Sequence, residues 1–324
     1  TPGPISGGAT TIFAEGIRIP VTQLVRAGVL DDGLLNLIAQ NSREPEERVL
    51  DLKVQIASNE RGARLVQGLV AQMGLDAVIA ATEDLLAYTE RRLRNRIRAM
   101  TDGSAQFTAF LDDDGLGGDP APITARVTVE GERLVINFAG SAPQARGAMN
   151  VAESALRATV YYAVKTLLDP GLLPNQGLAA CVEIRAPEGS TVNPRFPAAT
   201  GARSITCNKI ARALFGAFAE LLPPERAMAA SLDSVPVIIF SGERRLRDGT
   251  FVYLESMGGG VGARHNADGM DGVHVHVTNT SNLPAEALEN EYALLVDEYA
   301  LVNGSSGAGR HRGGMGIARQ IRAT

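Results

Sequence analysis

The chain has 324 residues, of which 45% are hydrophobic and 21% are charged, and its formal net charge is −5. This length and apolar content predict a folded protein with one large core or two medium ones. The acidic balance, and the lack of an apolar run near the roughly 18 residues that span a bilayer, predict a cytoplasmic protein that binds neither nucleic acid nor membrane.

Helical periodicity dominates the first hundred residues. Apolar residues recur at helical spacing from Pro45 to about Gly74, and residues 75–100 repeat the pattern with Leu93 and Ile97 on one stripe. Five arginines occupy other positions of this second helix: Arg91, Arg92, Arg94, Arg96 and Arg98. We interpret them as a solvated or partner-facing side, with a grip on an anion as the alternative. Residues 1–102 are therefore predicted to form a mainly helical region.

The periodicity changes to alternation after Asp102. The stretches AQFTAFLDDDG and ITARVTVEGERLVINFAGS predict antiparallel strands, and the second stretch turns at Glu130-Gly131. Helices are predicted over about 151–168 and 205–222, with the strand CVEIRAP between them. Three polar residues are placed to cap the start of the second of these helices: Ser204, Thr206 and Asn208.

Further strands and glycine-rich loops are predicted towards the C-terminus. VPVIIFSGERRLRDGTFVYLESM predicts a hairpin that turns at Asp248-Gly249, VHVHVTN (273–279) predicts a strand, a short helix follows Pro284, and ALLVDEYALV predicts another strand. Antiparallel strands interspersed with helices favour an α+β fold, with mixed or antiparallel sheets and packed helices, over a doubly wound parallel sheet. We assign residues 103–324 to this α+β region, with one continuous domain as the alternative to a boundary near residue 102.

All four histidines lie near the C-terminus, inside or beside glycine-rich loops: His265, His274, His276 and His311. On the predicted strand, His274 and His276 point to the same face, so both rings can reach one substrate or one metal ion. Asp271 precedes the strand and is placed to be a third ligand or to orient an imidazole. We take these three residues as catalytic candidates. The alternative is that both histidines are polar residues on the solvent side of a half-buried strand.

Two glycine-rich stretches are candidates for binding an anion. Gly258-Gly259-Gly260 lets backbone N–H groups approach an anion to which Arg264 adds charge. The stretch lacks the Gly-Lys-Ser/Thr ending of a phosphate-binding P-loop, so a substrate-cradling loop and plain turn geometry are both open. GSSGAGRHRGGMG carries Arg312 and predicts either a basic loop that touches a phosphate or a partner subunit, or an exposed connection.

Six stretches together resemble one enzyme family: EGIRIP (15–20), EERVLDLKVQIASNERGARLV (46–66), FLDDDG (110–115), INFAGSAPQARGAMN (136–150), GGGVGARHNADGMDGVHVHVTNT (258–280) and SSGAGRHRGGMG (305–316). They resemble the B-type subunits of hydantoinase- and oxoprolinase-type enzymes, a group that includes the alpha-type subunits of acetone and acetophenone carboxylases. The stretches run in the family's order from end to end, so the resemblance is more specific than any single motif.

The resemblance implies a subunit of a larger multi-subunit, ATP-dependent assembly. In such enzymes an A-type subunit uses ATP to phosphorylate a lactam, imide or enol oxygen, and the B-type subunit completes ring opening with water or carboxylation. We therefore expect a cyclic amide hydrolase subunit that takes a small-molecule substrate, with ATP on an A-type partner. Six residues are then candidates for binding substrate or phosphate: Gly258, Gly259, Gly260, Arg264, Asn279 and Arg312.

The chain departs from the family at its N-terminus. B-type subunits usually begin with a further N-terminal portion whose His-x-x-Asp and later His bind a divalent metal, and that portion ends about where this chain begins. The resemblance therefore implies that this portion is a partner of the chain and that the ligands of the divalent metal lie there, so we assign no metal ligand here. Met315 stands where an acidic residue is expected, which weakens any cation site in the last loop.

Two other functions stay open at this point. A ketone carboxylase subunit of the acetone or acetophenone type fits the same resemblance, because the sequence does not distinguish water from bicarbonate as the second reactant. A non-catalytic scaffold is the alternative from another class, in which the arginine-rich helix holds an enzymatic partner and the histidines are incidental.

Overall fold

A computed structural model describes residues 8–228, 236–244 and 249–324. Its architecture is α+β, as predicted, with packed helices and small sheets that are antiparallel or mixed. Asp248, at the predicted turn of the second hairpin, lies outside the described residues, whereas the two strands that flank it lie inside.

The N-terminal part is mainly helical. It contains a short 3-10 helix (Ile12–Ala14), the small strands β1 (Val25–Arg26) and β2 (Val29–Leu30), and the helices α1 (Asp32–Gln40), α2 (Pro45–Met73) and α3 (Leu75–Arg98). The periodicity predicted α2 and α3, whereas α1 was not predicted. The carboxylate of Asp31 begins α1 by accepting the Leu34 N–H at 2.9 Å.

Helices α2 and α3 are bent by 110° at Gly74, whose φ is +84°. None of the residues of α2 is buried. In the described part of the chain, no single helix is long and apolar enough to cross a membrane; α2 and α3 meet that criterion only as a bent pair, by length and composition.

The central element is a four-stranded mixed sheet. Its strands are β3 (Gly103–Leu111), β4 (Ala121–Glu130), β5 (Arg133–Asn137) and β6 (Val182–Arg185), in that order. The pairs β3–β4 and β4–β5 are antiparallel, and β5–β6 is parallel because a helical crossover separates those two strands.

Three helices complete this part of the chain: α4 (Glu153–Leu168), α5 (Gln176–Ala179) and α6 (Arg203–Leu221). α6 packs against β3 and β4 and against α4. Leu93 and Ile97 of α3 belong to the same core as this sheet and are fully buried. The predicted domain boundary near residue 102 stays a prediction.

The turn before α6 is held by a distant residue. The Glu15 carboxylate accepts the backbone N–H groups of Thr200 and Gly201, just before the helix begins. The N-cap residue, Ala202, makes no side-chain cap bond, and the Thr206 hydroxyl donates to Met149 O instead. The predicted capping by local side chains is therefore wrong, because the N-cap residue is an alanine and the side chains of Thr206 and Asn208 donate to backbone carbonyls.

The C-terminal part is built from two hairpins and one helix. β7 (Val237–Glu243) pairs antiparallel with β8 (Thr250–Ser256), and β9 (Leu294–Leu301) pairs antiparallel with β10 (Ile317–Ala323). α7 (Ala285–Glu291) precedes β9. These elements confirm the predicted hairpin, helix and strand, whereas β10 was not predicted. A small core holds them together through Phe251, Tyr253, Leu288 and Leu294.

The predicted strand over residues 273–279 is wrong. Only Val273 forms a bridge, with Gly259, and the chain then turns at His276 and Val277. Val277 has φ +54°, a left-handed conformation that no extended strand contains. The expectation that His274 and His276 share one face therefore loses its basis.

Candidate active site

Two glycine-rich segments, residues 258–272 (the first glycine loop) and residues 304–316 (the second glycine loop), are bonded to each other through their backbones. Three of these bonds join the loops directly: Gly314 N–H to Val261 O at 2.9 Å, Gly269 N–H to Arg312 O at 2.7 Å and Gly272 N–H to Met315 O at 3.1 Å. Because backbone groups of both loops are satisfied across this contact, the loops form one unit.

Glycine is required at two positions of this contact. A Cβ on Gly260 would overlap the carbonyl oxygen of Gly314, and a Cβ on Gly314 would overlap the carbonyl oxygen of Met270. Backbone meets backbone there, so no flexible side chain is available to move aside. The close approach of the loops, rather than a turn within either one, explains these two glycines.

An ion pair ties the loops together as well. Arg312 donates from Nη1 and Nη2 to the two carboxylate oxygens of Asp271, at 2.7 and 3.0 Å, and the Met315 N–H donates to the same carboxylate at 2.7 Å. The Arg312 guanidinium, and then the Met315 N–H, lower the pKa of Asp271 to about 2. No imidazole of the described residues bonds this carboxylate, so the expected orientation of a histidine by Asp271 is not observed.

A cavity of about 520 Å³ lies between the loops, a volume within the usual range of small-molecule sites. Six of its lining residues have backbone N–H groups that donate to no acceptor in the described part of the chain: Gly260, Gly262, Ala263, Gly307, Ala308 and His311. Backbone donors of this kind, when they face a concave surface, stabilise an oxyanion or a phosphoryl group. The cavity (here the glycine cavity) therefore suits an anionic ligand or transition state.

His311 also lines the glycine cavity. Its Nδ1 lies 3.4 Å from the Asp268 carboxylate, which in turn accepts the Arg312 N–H at 3.0 Å. A carboxylate beside Nδ1 can orient an imidazole ring. This carboxylate–imidazole arrangement can move a proton, and catalytic hydrogen bonds are often long before substrate binds.

Asp268 had no predicted role, and His311 was predicted only as one of four clustered histidines and as part of a basic loop. The usable signal is that each residue lies in a glycine-rich stretch. Their pairing depends on how the two loops interlock, which neither local periodicity nor spacing reveals.

The two histidines that were predicted to be catalytic lie in different surroundings. His276 is buried, with its ring 4.6 Å from that of Phe215 on α6 and its Nδ1 3.1 Å from the Tyr162 hydroxyl on α4. His274 is half-buried, and its ring nitrogens lie 3.3 Å from the Thr280 hydroxyl and 3.3 Å from Asn282 Oδ1. Neither lines the glycine cavity. Their catalytic roles, like that of Asp271, stay predictions.

Of the six residues predicted to bind substrate or phosphate, only Gly260 lines the glycine cavity. The other five are the buried Gly258 and Gly259, the exposed Arg264 and Asn279, and Arg312, which bonds Asp271. Their binding roles stay predictions.

The described residues contain no cluster of metal ligands. Within residues 8–228, 236–244 and 249–324, no group of three or more His, Cys, Asp or Glu side chains is arranged to hold a metal ion. These residues therefore do not offer a ligand set for the divalent metal that the resemblance implies. The location of its ligands on another polypeptide stays a prediction.

Comparison with known proteins identifies the family. A profile of the hydantoinase B/oxoprolinase group matches residues 1–324. The chain belongs to the hydantoinase B/oxoprolinase family. This membership confirms the resemblance that the six sequence stretches indicate.

Relatives within the hydantoinase B/oxoprolinase family include both separate subunits and longer chains. The B-type subunit of a putative D-/L-hydantoinase from Pseudomonas sp. (strain NS671) is 32% identical, over 97% of this chain and 54% of its own length. The 5-oxoprolinase 1 of Arabidopsis thaliana is 29% identical, over 99% of this chain and 26% of its own length. The chain thus spans about half the length of the hydantoinase subunit and about a quarter of the oxoprolinase.

Solved structures of similar proteins share the fold. The ATP-dependent caprolactamase from Pseudomonas jessenii matches with a TM-score of 0.85 and 26% identity, over 99% of this chain and 57% of the caprolactamase chain. An acetone carboxylase in its nucleotide-free form matches with a TM-score of 0.87 and 19% identity, over 98% of this chain and 44% of the carboxylase chain. The second likeness concerns the fold alone.

Proposed function

We propose that this chain is a subunit of an ATP-dependent cyclic amide hydrolase of the hydantoinase/oxoprolinase type. In this proposal an A-type partner uses ATP to phosphorylate the substrate, and the glycine cavity receives the phosphorylated intermediate. The family membership and the relatives that are named hydantoinase, 5-oxoprolinase and caprolactamase support the class of substrate.

The observation that carries the proposal is the combination of unpaired backbone donors and one oriented imidazole around a single cavity. Hydrolysis of an activated amide needs a group that removes a proton from water and donors that stabilise the negative charge formed on oxygen. His311, held by Asp268, supplies the first. The N–H groups of Gly260 and its neighbours on the cavity wall supply the second.

The proposed reaction is an addition followed by ring opening. Water adds to the activated carbon of the ring while the imidazole of His311 takes a proton from it. The C–N bond of the ring then breaks, and the nitrogen leaves with a proton returned by the same imidazole. The carbon keeps the phosphoryl group as an acyl phosphate, which a second water molecule hydrolyses to the carboxylate and inorganic phosphate.

His274 and His276 are proposed to contribute less to proton transfer than His311 does. The partners of His274, Thr280 and Asn282, line another cavity, of about 510 Å³. His276 connects the segment after the first glycine loop to α4 and α6 through Tyr162 and Phe215. Separate His274→Gln and His276→Gln variants test these roles, because full ATP-coupled turnover in both would exclude them from proton transfer.

Reconstitution tests the proposed function most directly. The chain is co-expressed with an A-type subunit and the accompanying N-terminal B-type portion, and the complex is incubated with hydantoin, 5-oxoproline and caprolactam. We expect opening of at least one ring that requires ATP and does not require bicarbonate. The readouts are the ring-opened product and released phosphate.

Other results of this reconstitution would favour a different function. ATP hydrolysis that requires bicarbonate and a ketone, with no ring opening, would contradict the hydrolase proposal in favour of a carboxylase. If substitutions in the glycine cavity leave ring opening by the complex unchanged, the chain serves as a scaffold.

A further inference from the structure

A second group of basic residues surrounds a different cavity, of about 420 Å³, which shares no lining residue with the glycine cavity. Four arginines line it: Arg91, Arg92, Arg96 and Arg226. Three of them lie on the C-terminal half of α3, and Arg226 lies shortly after the end of α6. Tertiary structure therefore adds a distant arginine to the basic cluster of α3.

This cavity (here the arginine cavity) has an excess of positive charge. The one carboxylate of the described residues that is bonded to its arginines, Asp169, is only 4% exposed. Arg92 donates to both of its oxygens at 2.6 and 2.7 Å, and Arg96 donates at 3.3 Å. These bonds, first that from Arg92, keep the pKa of Asp169 below its usual range, so it is charged. Four guanidinium groups against one carboxylate leave three positive charges.

Three of the arginines keep donors for a ligand. Arg91 forms no hydrogen bond or ion pair with the described residues. Arg96 uses only Nε, for Asp169. Arg226 uses only Nη2, which donates to the carbonyls of Leu167 and Leu168 at the C-terminus of α4. Guanidinium groups with paired, unused N–H groups match the oxygens of phosphate well.

The space beside these donors admits an organic group. A further cavity of about 420 Å³ shares Arg96, Ala99 and Arg226 with the arginine cavity. Its wall combines apolar side chains, including Met100 and Leu221, with acidic residues such as Glu220. A charged group held by the arginines would thus have an adjoining pocket for the rest of its molecule.

We infer that the arginine cavity binds the diphosphate group of a small ligand, either a nucleoside diphosphate or inorganic pyrophosphate. A single carboxylate would leave most of the excess charge unbalanced, whereas a diphosphate carries two to three negative charges. The adjoining cavities suit a compact molecule, and the chain's net charge of −5 disfavours a long nucleic acid.

Calorimetric titration of the full chain, purified without an ATP-binding partner, tests this inference. ADP and inorganic pyrophosphate are the two probes, at low salt and again at higher salt. We expect saturable binding of at least one probe, weaker at higher salt. Arg96→Gln and Arg91→Gln should each reduce affinity about tenfold or more, as expected for loss of hydrogen bonds to a charged group. Tighter binding of ADP would identify a nucleotide, and equal binding would identify the diphosphate group alone.

Arg98→Gln is the matched control. Arg98 lies on the same helix, is exposed, and pairs with Glu132 outside the arginine cavity. The affinity of the Arg98→Gln variant for either probe should stay within about twofold of that of the wild type. Circular dichroism of all variants establishes that each is folded.

Two results would overturn the inference: absence of saturable binding of both probes, or a loss of affinity in Arg98→Gln equal to that in Arg96→Gln. If neither probe binds and Arg96→Gln prevents assembly of the complex, the arginines instead contact an acidic surface of a partner protein.

Discussion

The sheet with its helices and the pair of glycine loops are stabilised in different ways. The first region, β3 to β6 with α4 and α6 (here the body), surrounds a core of fully buried apolar side chains such as Phe138, Leu134 and Phe218. No residue of either glycine loop belongs to an apolar core of the described chain. The loops depend on backbone hydrogen bonds and on the pair between Asp271 and Arg312.

This difference shows where function can be placed. A packed core tolerates few unpaired polar groups, because each one costs free energy once it is removed from water. Loops that are joined by their own backbones can leave some N–H groups unpaired and line a cavity with them. In the proposed function, the body provides the packed frame and the glycine loops provide the chemistry.

The largest expected effect is in the body. Phe218→Ala removes a fully buried side chain from the core and should lower the free energy of unfolding by about 3–5 kcal/mol. Urea denaturation monitored by circular dichroism measures the change. Phe110→Ala, at a position that is 52% exposed on β3, is the control and should change stability by less than about 1 kcal/mol. Equal losses in the two variants would contradict the assignment of the core.

A glycine substitution should have a smaller effect on stability but a large one on turnover. Gly314→Ala places a Cβ against the Met270 carbonyl, so the loops must separate. We expect ring-opening turnover of the complex to fall about 100-fold, as a displacement of about 1 Å can cause, while the body stays folded. In the control, Gly62→Ala on α2, the new Cβ meets no atom within 4 Å, so turnover should stay near that of the wild type. Normal turnover in Gly314→Ala would show that the loop contact is dispensable.

Asp268→Asn tests how His311 is held. Asp268 is a positioning residue, so the change should lower kcat about tenfold and leave KM nearly unchanged. Asp268→Glu, which keeps the charge, should recover part of the loss. Asp119→Asn, an exposed aspartate outside the loops, is the control and should behave as the wild type. If Asp268→Asn alters only thermal stability, the carboxylate has a structural role.

The smallest effect concerns pH. The pKa of Asp271 is about 2 in the folded chain and about 3.9 in an unfolded one, so its ionised form favours folding. This contribution is complete above the unfolded pKa and disappears as pH falls through the folded pKa. Asp271→Asn should therefore be less stable than the wild type from pH 5 to 8, by an amount that shrinks between about pH 4 and 2. A difference that is independent of pH would mean that the ion pair does not contribute.

The sequence predicted the frame better than the site. Periodicity identified α2, α3, α4, α6 and most strands, because a residue's side of a helix or strand depends on its neighbours along the chain. It failed at residues 273–279, where alternating valines and histidines resemble a strand but a left-handed Val277 turns the chain.

Interactions between distant segments explain the other failures. Glu15 bonds the turn before α6 from far away in sequence, and His311 meets Asp268 only because the two glycine loops are bonded to each other. The high glycine content indicated that these two stretches are candidates for binding a ligand. It did not indicate which backbone atoms meet, or that His311 rather than His274 would line the cavity.

Turnover of a His311→Gln complex, compared with Arg310→Gln, tests the central claim most directly. Arg310 is exposed in the same loop and does not line the glycine cavity. With assembly and ATP binding intact, the account predicts that His311→Gln lowers kcat for ring opening at least about 100-fold, the usual contribution of a general base, while Arg310→Gln stays near the wild type. Wild-type turnover in His311→Gln would contradict it.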